Sequence, residues 1–309
     1  MRAARLHEYG AADVLRVEDV PVPVLAPATV LVRVHAAGVN PIDWKIRAGQ
    51  LRDKLPLELP ATLGGDFSGV VEAIGPGAAF AIGDSVYGQA SATNGGSGSF
   101  AERALAPAST IAPKPTRVDH ARAAALPLAG VSALQALTEH LRVTRGQRIL
   151  VHGGAGGIGA LAIQIAKHLG AHVTTTASAK QREDATRAGA DTVIDYEAQR
   201  FEEVVHDLDA VFDTVGGDTY VRSFQTLKPG GRLVSMLEPP RDDLMREFRV
   251  EAFAQVTRVT TERLLRLAEL VDSGVIEARI ARTFPLERAP AALVHLEKDS
   301  PRGKVMIVP

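Results

Sequence analysis

The fold is decided by the stretch Arg148-Ile149-Leu150-Val151-His152-Gly153-Gly154-Ala155-Gly156-Gly157-Ile158-Gly159. Its apolar beginning is typical of a short buried strand, and the glycines that follow have the spacing G-x-G-x-x-G. Apolar residues at helical spacing continue from 158 to 169. A strand, a glycine turn and a helix in this order predict a turn that approaches the pyrophosphate of a dinucleotide at the helix N-terminus. The predicted contacts are Gly154, Ala155, Gly156, Gly157 and Ile158; a glycine turn without a ligand is the alternative.

Strand and helix patterns alternate along the chain around this turn. Further strands are predicted at 171–177, 192–194, 210–212, 232–236 and 250–256. A helix is predicted at 180–188. Such alternation is typical of an α/β protein whose parallel sheet is covered by helices on both faces. We therefore expect a doubly wound, Rossmann-type cofactor domain over residues 119–257.

The end of the second predicted strand bears on which dinucleotide binds. NAD sites carry an acidic residue about 20 residues after the start of the turn, where it binds the ribose hydroxyls. Here the chain has no acid between 174 and 180. Ser178 and Lys180 are placed to bind a 2′-phosphate, which a carboxylate would repel. The sequence therefore favours NADPH; a helix cap at Ser178 and a solvated Lys180 are the alternative.

The residues before 119 have a different pattern. Short β-branched runs at 30–36 and 69–75 are separated by prolines and glycines, and 91–99 is a loop of small residues. The tail after 257 is too short to be a domain of its own. We expect a β-rich domain at 1–118 that residues 258–309 complete.

Composition argues against several classes of protein. The 309 residues carry a formal net charge of -1 and no cysteine, so a dedicated nucleic-acid binder, a thiol enzyme and a disulfide scaffold are not expected. The first residues lack the apolar run of a signal peptide, and no stretch of about 18 apolar residues is present. We expect a cytoplasmic protein that acts on a small molecule, without a nucleic-acid or membrane partner.

Motifs along almost the whole chain resemble one known family. They are Ala-Gly-Val-Asn-Pro-Ile-Asp at 37–43, Gly-Gly-Asp-Phe-Ser-Gly-Val-Val at 64–71, Gly-Asp-Ser-Val-Tyr-Gly at 83–88, Gly-Ser-Phe-Ala-Glu at 98–102, Leu-Ala-Gly-Val-Ser-Ala at 128–133, Asp-Thr-Val-Gly-Gly at 213–217, Pro-Gly-Gly-Arg-Leu-Val-Ser at 229–235 and Gly-Lys-Val at 303–305. With the glycine turn, they are similar to the zinc-free quinone oxidoreductase branch of the medium-chain dehydrogenase/reductases, which includes zeta-crystallin. The resemblance implies a GroES-like catalytic domain, a Rossmann cofactor domain, and homodimers that pair through the strand at 250–256.

The resemblance also implies cofactor contacts outside the glycine turn. They are Ser132, Tyr196, Val215, Gly216, Ser235, Met236 and Leu237. Those that follow predicted strands lie where open α/β sheets bind ligands. For each of them, packing or turn geometry is the alternative.

No metal site is expected. Zinc-dependent members of the superfamily use cysteine, histidine and an acid, and Gly65 stands where they have the histidine. None of the nine histidines falls in an H-x-H or H-E-x-x-H motif. We therefore expect hydride transfer without a Lewis acid, to a quinone or an α,β-unsaturated carbonyl, whose reduced form delocalises the charge.

Asn40 and Asp43 are the polar residues of the catalytic domain that match the family. We expect Asn40 to donate a hydrogen bond to the acceptor or the nicotinamide, and Asp43 to orient a neighbour or a water. An Asx-type turn around Pro41 explains both residues equally well. Trp44 and Lys45 depart from the Thr-Tyr of some relatives, so no proton donor is assigned.

Two other functions fit the same motifs. The first is reduction of enals, enones or enoyl thioesters in place of quinones, by the same chemistry. The second is an NADPH-binding sensor or interaction protein with little turnover. Consumption of NADPH across a panel of acceptors distinguishes these functions.

Overall fold

A computed structural model of the chain describes residues 1–299 and 301–309. The strands are β1 Arg2–Leu6, β2 Leu15–Asp19, β3 Thr29–Val39, β4 Ala61–Thr62, β5 Asp66–Ile74, β6 Ser85–Gln89, β7 Arg103–Pro107, β8 Ile111–Pro113, β9 Arg148–Val151, β10 His172–Ala177, β11 Thr192–Asp195, β12 Leu208–Asp213, β13 Leu227–Ser235, β14 Glu251–Ala254, β15 Ile280–Pro285 and β16 Lys304–Val308. The α-helices are α1 Pro41–Arg47, α2 His120–Ala124, α3 Pro127–Gln135, α4 Gly157–His168, α5 Arg182–Arg187, α6 Asp218–Ser223, α7 Asp242–Phe248, α8 Thr261–Asp272 and α9 Ala289–Lys298. Across the described part of the chain, every helix falls short of the length and apolar content that a membrane span requires.

The described residues form two compact units. Unit 1 comprises Met1–Leu128 together with Val259–Pro309, and unit 2 comprises Ala129–Arg258. Unit 1 is thus built from the two ends of the chain, and unit 2 from the residues between them.

Unit 2 contains a parallel sheet in the order β11-β10-β9-β12-β13-β14. The chain winds outward from β9 in one direction and then from β12 in the other, which is the doubly wound arrangement. The parallel α/β sheet predicted from the sequence is therefore confirmed. The predicted strand at 250–256 is β14, at one edge of the sheet. The reversal of strand order between β9 and β12 places the glycine turn, which follows β9, at the point where such sheets bind ligands.

Unit 1 contains sheets of three and seven strands among the described residues. The longest strand, β3, pairs antiparallel with β5, β7 and β16. Val30, Val32 and Val34 face inward and are buried in the core of unit 1, and exposed Arg33 and half-buried His35 alternate with them in the middle of the strand. β16 pairs with β3 so that Val305 lies opposite Val39. Lys304, near the end of the sequence, is thereby placed next to the residues that follow Val39.

The boundary between the units lies later than the sequence analysis placed it. We predicted a change of domain at residues 118 and 119, whereas unit 1 continues to Leu128. Helix α2 causes the difference, because it packs against β3 and β5. The packing is close: a Cβ at Gly38 would lie 2.5 Å from Ala124 O. A short alanine-rich helix can thus belong to a β-rich unit, although its sequence pattern resembles that of the helices that follow.

Candidate active site

The glycine turn of unit 2 joins β9 to α4. The backbone N–H of His152 donates to Phe212 O at 2.9 Å, and that of Gly154 donates to Thr176 O at 3.1 Å. These bonds tie the turn to the strands on both sides of β9. Gly156 is the N-cap of α4, so the first N–H groups of this helix have no partner within the helix. They and the helix dipole stabilise an anion placed at this end.

The three glycines of the motif differ in what surrounds them. A Cβ at Gly154 would lie 2.0 Å from Thr175 Oγ1. A Cβ at Gly159 would lie 2.2 Å from Gly153 O. Packing within the protein therefore requires both of these glycines. A Cβ at Gly156 would meet only Gly153 O, at 3.2 Å, and Gly156 is exposed with an ordinary φ of -76°. The surface at Gly156 is left open by the protein, which fits the close approach of a pyrophosphate.

The end of β10 presents basic side chains. Ser178, just after β10, is half-buried, and its hydroxyl contacts Gln181 Oε1 at 3.3 Å rather than a backbone N–H of the following helical turn. Lys180 and Arg182 follow it and are exposed. Ser178 therefore does not form the side-chain helix cap that was the alternative for it. The side chains of Lys180 and Arg182 remain accessible to an anionic ligand.

Large apolar side chains are exposed at the carboxyl ends of three strands of unit 2. Tyr196 follows β11, Val215 follows β12 and Leu237 follows β13, and they are 57%, 50% and 50% exposed. The carboxyl ends of parallel strands lie at one edge of the sheet. Exposed apolar side chains along the carboxyl ends of parallel strands are typical of a ligand-binding surface.

Asp213 holds the loops that carry two of these side chains. It is buried at the end of β12, and its Oδ1 accepts the N–H groups of Val215 and Gly216, at 2.9 Å each. Its Oδ2 accepts a hydrogen bond from Ser235 Oγ at 2.6 Å, and Ser235 Oγ accepts the N–H of Leu237 at 3.1 Å. Asp213 was not among the site residues predicted from the sequence. Its position at the end of an apolar strand could have indicated its role, because a buried carboxylate needs several hydrogen-bond donors around it.

Two predicted cofactor contacts are fully buried. Ser132 lies in α3, and its Oγ is 2.7 Å from Thr257 Oγ1. Ser235 is equally buried and bonded to Asp213 as described above. These contacts favour the packing alternative for both serines. Met236 is partly buried and its N–H donates to Asp213 O at 3.0 Å.

In unit 1, Asn40 lies in a buried group of polar side chains. Asn40 Nδ2 donates to Asp66 Oδ2 at 2.9 Å, and Lys304 Nζ donates to Asn40 Oδ1. Asp66 also accepts from Gln89 Nε2 at 2.8 Å and from the N–H of Leu128 at 3.1 Å. Four strands supply these side chains, because Asn40 follows β3, Asp66 and Lys304 begin β5 and β16, and Gln89 ends β6. We call Asn40, Asp43, Asp66, Gln89 and Lys304 the Asn40 cluster.

Asp43 joins the cluster through the backbone. Its Oδ2 accepts the N–H of Asn40 at 2.7 Å, which fixes the start of α1. The local turn around Pro41, which was the alternative for these residues, is thus present as a helix cap. Burial raises the pKa of Asp43 to about 7, and the charge of Asp66 acts in the same direction. The carboxyl group of Asp43 therefore titrates near neutral pH.

Asp66, Gln89 and Lys304 are the residues of this cluster that were not predicted from the sequence. Burial raises the pKa of Asp66 and lowers that of Lys304, while the attraction between the two charges opposes both shifts. Lys304 directly precedes the apolar run 305–308, and this position could have indicated a polar cluster, since a buried ammonium needs hydrogen-bond acceptors around it. Which residues provide them follows only from the pairing of β16 with β3.

The described residues contain no group of three or more His, Cys, Asp or Glu side chains placed to hold a metal ion. By the resemblance described above, Gly65 takes the position of a zinc-ligand histidine. A Cβ at Gly65 would have Gln89 Nε2 at 3.6 Å and Ser91 Cβ at 3.7 Å as its neighbours.

Comparisons with known proteins match both units. The family described as "Alcohol dehydrogenase GroES-like domain" matches residues 26–116, and the one described as "Zinc-binding dehydrogenase" matches residues 188–307. The NADPH-dependent alkenal/one oxidoreductase, chloroplastic, of Arabidopsis thaliana is 33% identical over 100% of this chain and 80% of its own length. The quinone oxidoreductase of Coxiella burnetii is 35% identical with a TM-score of 0.90, over 100% of this chain and 99% of that chain. A mycobacterial protein solved in complex with NADPH is 33% identical with a TM-score of 0.89, over 100% of both chains.

These likenesses cover the whole chain and agree with the sheet order and the glycine turn. The chain belongs to the medium-chain dehydrogenase/reductase superfamily, in its quinone oxidoreductase-like branch. It is an oxidoreductase that uses a nicotinamide cofactor and acts on a small molecule. The family inferred from the sequence motifs is confirmed.

Proposed function

We propose that the chain is an NADPH-dependent, zinc-independent reductase of quinones or α,β-unsaturated carbonyls. The observation that carries the proposal is the open surface at Gly156 at the start of α4, with exposed Lys180 after the neighbouring strand. The first accepts a pyrophosphate, and the second attracts the 2′-phosphate that distinguishes NADPH from NADH. Lys180, Arg182 and the hydroxyl of Ser178 form the proposed 2′-phosphate site.

The class of acceptor rests on the relatives. The Arabidopsis protein is an alkenal/one oxidoreductase, and the Coxiella protein is a quinone oxidoreductase. Both names describe acceptors that carry a carbonyl oxygen conjugated to a carbon–carbon double bond. We propose both acceptor classes for this chain, because the same hydride chemistry reduces both.

The bound cofactor supplies a hydride to the acceptor carbon. Negative charge then gathers on the acceptor oxygen, and a proton from water completes the product. In our proposal Asn40 donates a hydrogen bond to that oxygen. The donor is most effective where water is excluded, and Asn40 is only 3% exposed. Asp43 fixes Asn40 through its bond to the backbone N–H.

Independence of zinc is part of the proposal. Its support is the amino-acid sequence, which has no cysteine and has Gly65 where zinc-dependent relatives have a ligand histidine. A delocalised acceptor oxygen needs less stabilisation than the alkoxide of a simple alcohol. Hydrogen-bond donors are therefore sufficient in this reaction.

We further propose a homodimer that forms through β14. This strand is the last in the sheet order of unit 2. An edge strand has one row of backbone N–H and C=O groups available for pairing with a second copy. Sedimentation of the purified protein tests this, and a monomer at micromolar concentration contradicts it.

The experiment that tests the function is optical measurement of NADPH consumption with a quinone, an enone and an aliphatic aldehyde. We expect turnover of the quinone or the enone, a preference for NADPH over NADH, and no effect of a metal chelator. The better of the two acceptors ranks the quinone and enone alternatives. Tight NADPH binding without consumption of any acceptor contradicts the proposal and favours the sensor function.

A further inference from the structure

The two ends of the Asn40 side-chain amide meet opposite charges. Lys304 Nζ donates to Oδ1, and Asp66 Oδ2 accepts from Nδ2 at 2.9 Å. All three side chains are buried. Lys304 also donates to Val39 O at 3.2 Å, which holds the ammonium beside the end of β3.

These partners allow one orientation of the amide. An ammonium only donates hydrogen bonds, and an ionised carboxylate only accepts them. A rotated amide would place its NH₂ against Lys304 and its oxygen against Asp66, so that both contacts would repel. In the observed orientation one Nδ2–H is bonded to Asp66, and the second is the remaining donor of the amide.

We propose that Asp66 and Lys304 are positioning residues, which hold the Asn40 amide so that its second Nδ2–H faces the acceptor oxygen. The inference rests on the proposed function. It adds the reason why two opposite buried charges lie on either side of the Asn40 amide, since buried charges by themselves contribute little to stability compared with apolar residues. It also assigns a role to a residue of the last strand.

Asp66 is itself held in place by other donors. Gln89 Nε2 donates to its Oδ1 at 2.8 Å, and the N–H of Leu128 lies 3.1 Å from its Oδ2. A carboxylate fixed by two other donors has little freedom to follow a moving amide. The rigidity of Asp66 is thereby passed to Asn40, and a displacement of about 1 Å at a reacting group lowers the rate by about 100-fold.

A matched pair of variants separates hydrogen bonding from charge. Lys304→Met and Lys304→Gln both remove the charge and have similar lengths, but only the glutamine can donate to Asn40 Oδ1. We expect Lys304→Met to lower kcat by about 10- to 100-fold with unchanged affinity for NADPH. Lys304→Gln should have a kcat at least about ten times higher than that of Lys304→Met, and the two variants should have similar melting temperatures. Equal kcat values in the two variants would overturn the proposal.

A double variant covers the case in which an unpaired buried charge prevents folding. Asp66→Asn with Lys304→Met removes both of the buried charges. The amide introduced at position 66 would present either its NH₂ group or its oxygen to Asn40, so the orientation of the Asn40 amide would no longer be set by charge. We expect a folded protein that binds NADPH and has kcat at least about tenfold below that of the wild type. Wild-type kcat in this variant contradicts the positioning role.

A second readout needs neither cofactor nor acceptor. The sequence contains two asparagines, Asn40 and Asn94, so selective ¹⁵N-asparagine labelling gives two side-chain NH₂ signals, which Asn94→Ala assigns. We expect one Asn40 proton to exchange slowly with water and the other faster, and this difference to shrink in Lys304→Met. An Asn40 signal that is identical in the wild type and in Lys304→Met overturns the inference. A wild type that shows the expected signals but no turnover instead overturns the proposed function.

Discussion

Gly154 packs directly against Thr175, since a Cβ on Gly154 would lie 2.0 Å from Thr175 Oγ1. Gly154→Ala therefore forces the turn away from β10. We expect the free energy of unfolding to fall by about 1–3 kcal/mol, as for other overpacked sites. Urea unfolding of the wild type and the variant measures the change, and a variant of undiminished stability contradicts the packing described here.

Gly156→Ala is the matched substitution within the same turn. Its methyl group would meet only Gly153 O, at 3.2 Å, so we expect stability to change by less than about 1 kcal/mol. NADPH affinity should fall at least about tenfold, because the methyl group occupies the surface that we assign to the pyrophosphate. Calorimetric titration with NADPH measures the affinity. Unchanged binding would place the pyrophosphate elsewhere.

Lys180→Ala tests the choice between the two dinucleotides. A charge-assisted contact with a phosphate contributes about 1.5–3 kcal/mol, so we expect the dissociation constant for NADPH to rise by about 10- to 100-fold. The constant for NADH should remain the same. Lys54→Ala, at an exposed position of unit 1, is the control and should leave both constants unaltered. Equal losses for NADPH and NADH in Lys180→Ala would argue against a 2′-phosphate contact.

Asn40→Ala tests the proposed donor. Removal of one donor to a developing oxyanion typically lowers kcat by about 10²–10³-fold. We expect a loss of this order with the quinone or the enone, while NADPH affinity stays within about twofold. Asn94→Ala changes the other asparagine, which is exposed, and should turn over like the wild type. Steady-state kinetics and NADPH titration of both variants decide the matter; full activity in Asn40→Ala refutes the assignment.

Asp43→Asn tests the buried carboxyl. In the folded protein its pKa is about 7, above the ordinary value of 3.8, so the folded state holds this proton more tightly than the unfolded state. The stability of the wild type should therefore fall as the pH rises from about 4 to 7 and then level off, by up to about 4 kcal/mol from this group. Asparagine can still accept the N–H of Asn40 but does not titrate. We expect the variant to be less dependent on pH, as measured by urea unfolding at pH 5 and pH 8.

The alternating strands and helices of unit 2 could be predicted because each element shows its own periodicity. The glycine motif also revealed its position between a strand and a helix. The side chain of Ser132 could not be placed in the same way. Its hydroxyl is hydrogen-bonded to that of Thr257, and no local sequence pattern predicts a contact between residues so distant in the sequence.

The Asn40 cluster was predictable only in part. Asn40 and Asp43 are three residues apart, and their spacing already indicated a polar turn or a site. Their partners Asp66 and Lys304 depend on the pairing of β3 with β5 and β16. The register of strand pairing is set by packing over the whole sheet, so the sequence could indicate that a buried lysine needs acceptors but not which ones it has.

The division of unit 1 into two stretches of chain has a consequence during translation. Lys304 follows unit 2 in the sequence, so the ribosome completes unit 2 before it reaches this residue. Domains that are contiguous in the chain fold as they emerge, whereas contacts between distant segments form late. The nascent chain can thus acquire its nucleotide-binding fold while β3 still lacks β16. The Asn40 amide is fixed only once β16 has emerged, so the proposed ability to reduce a substrate arises later than the nucleotide-binding fold.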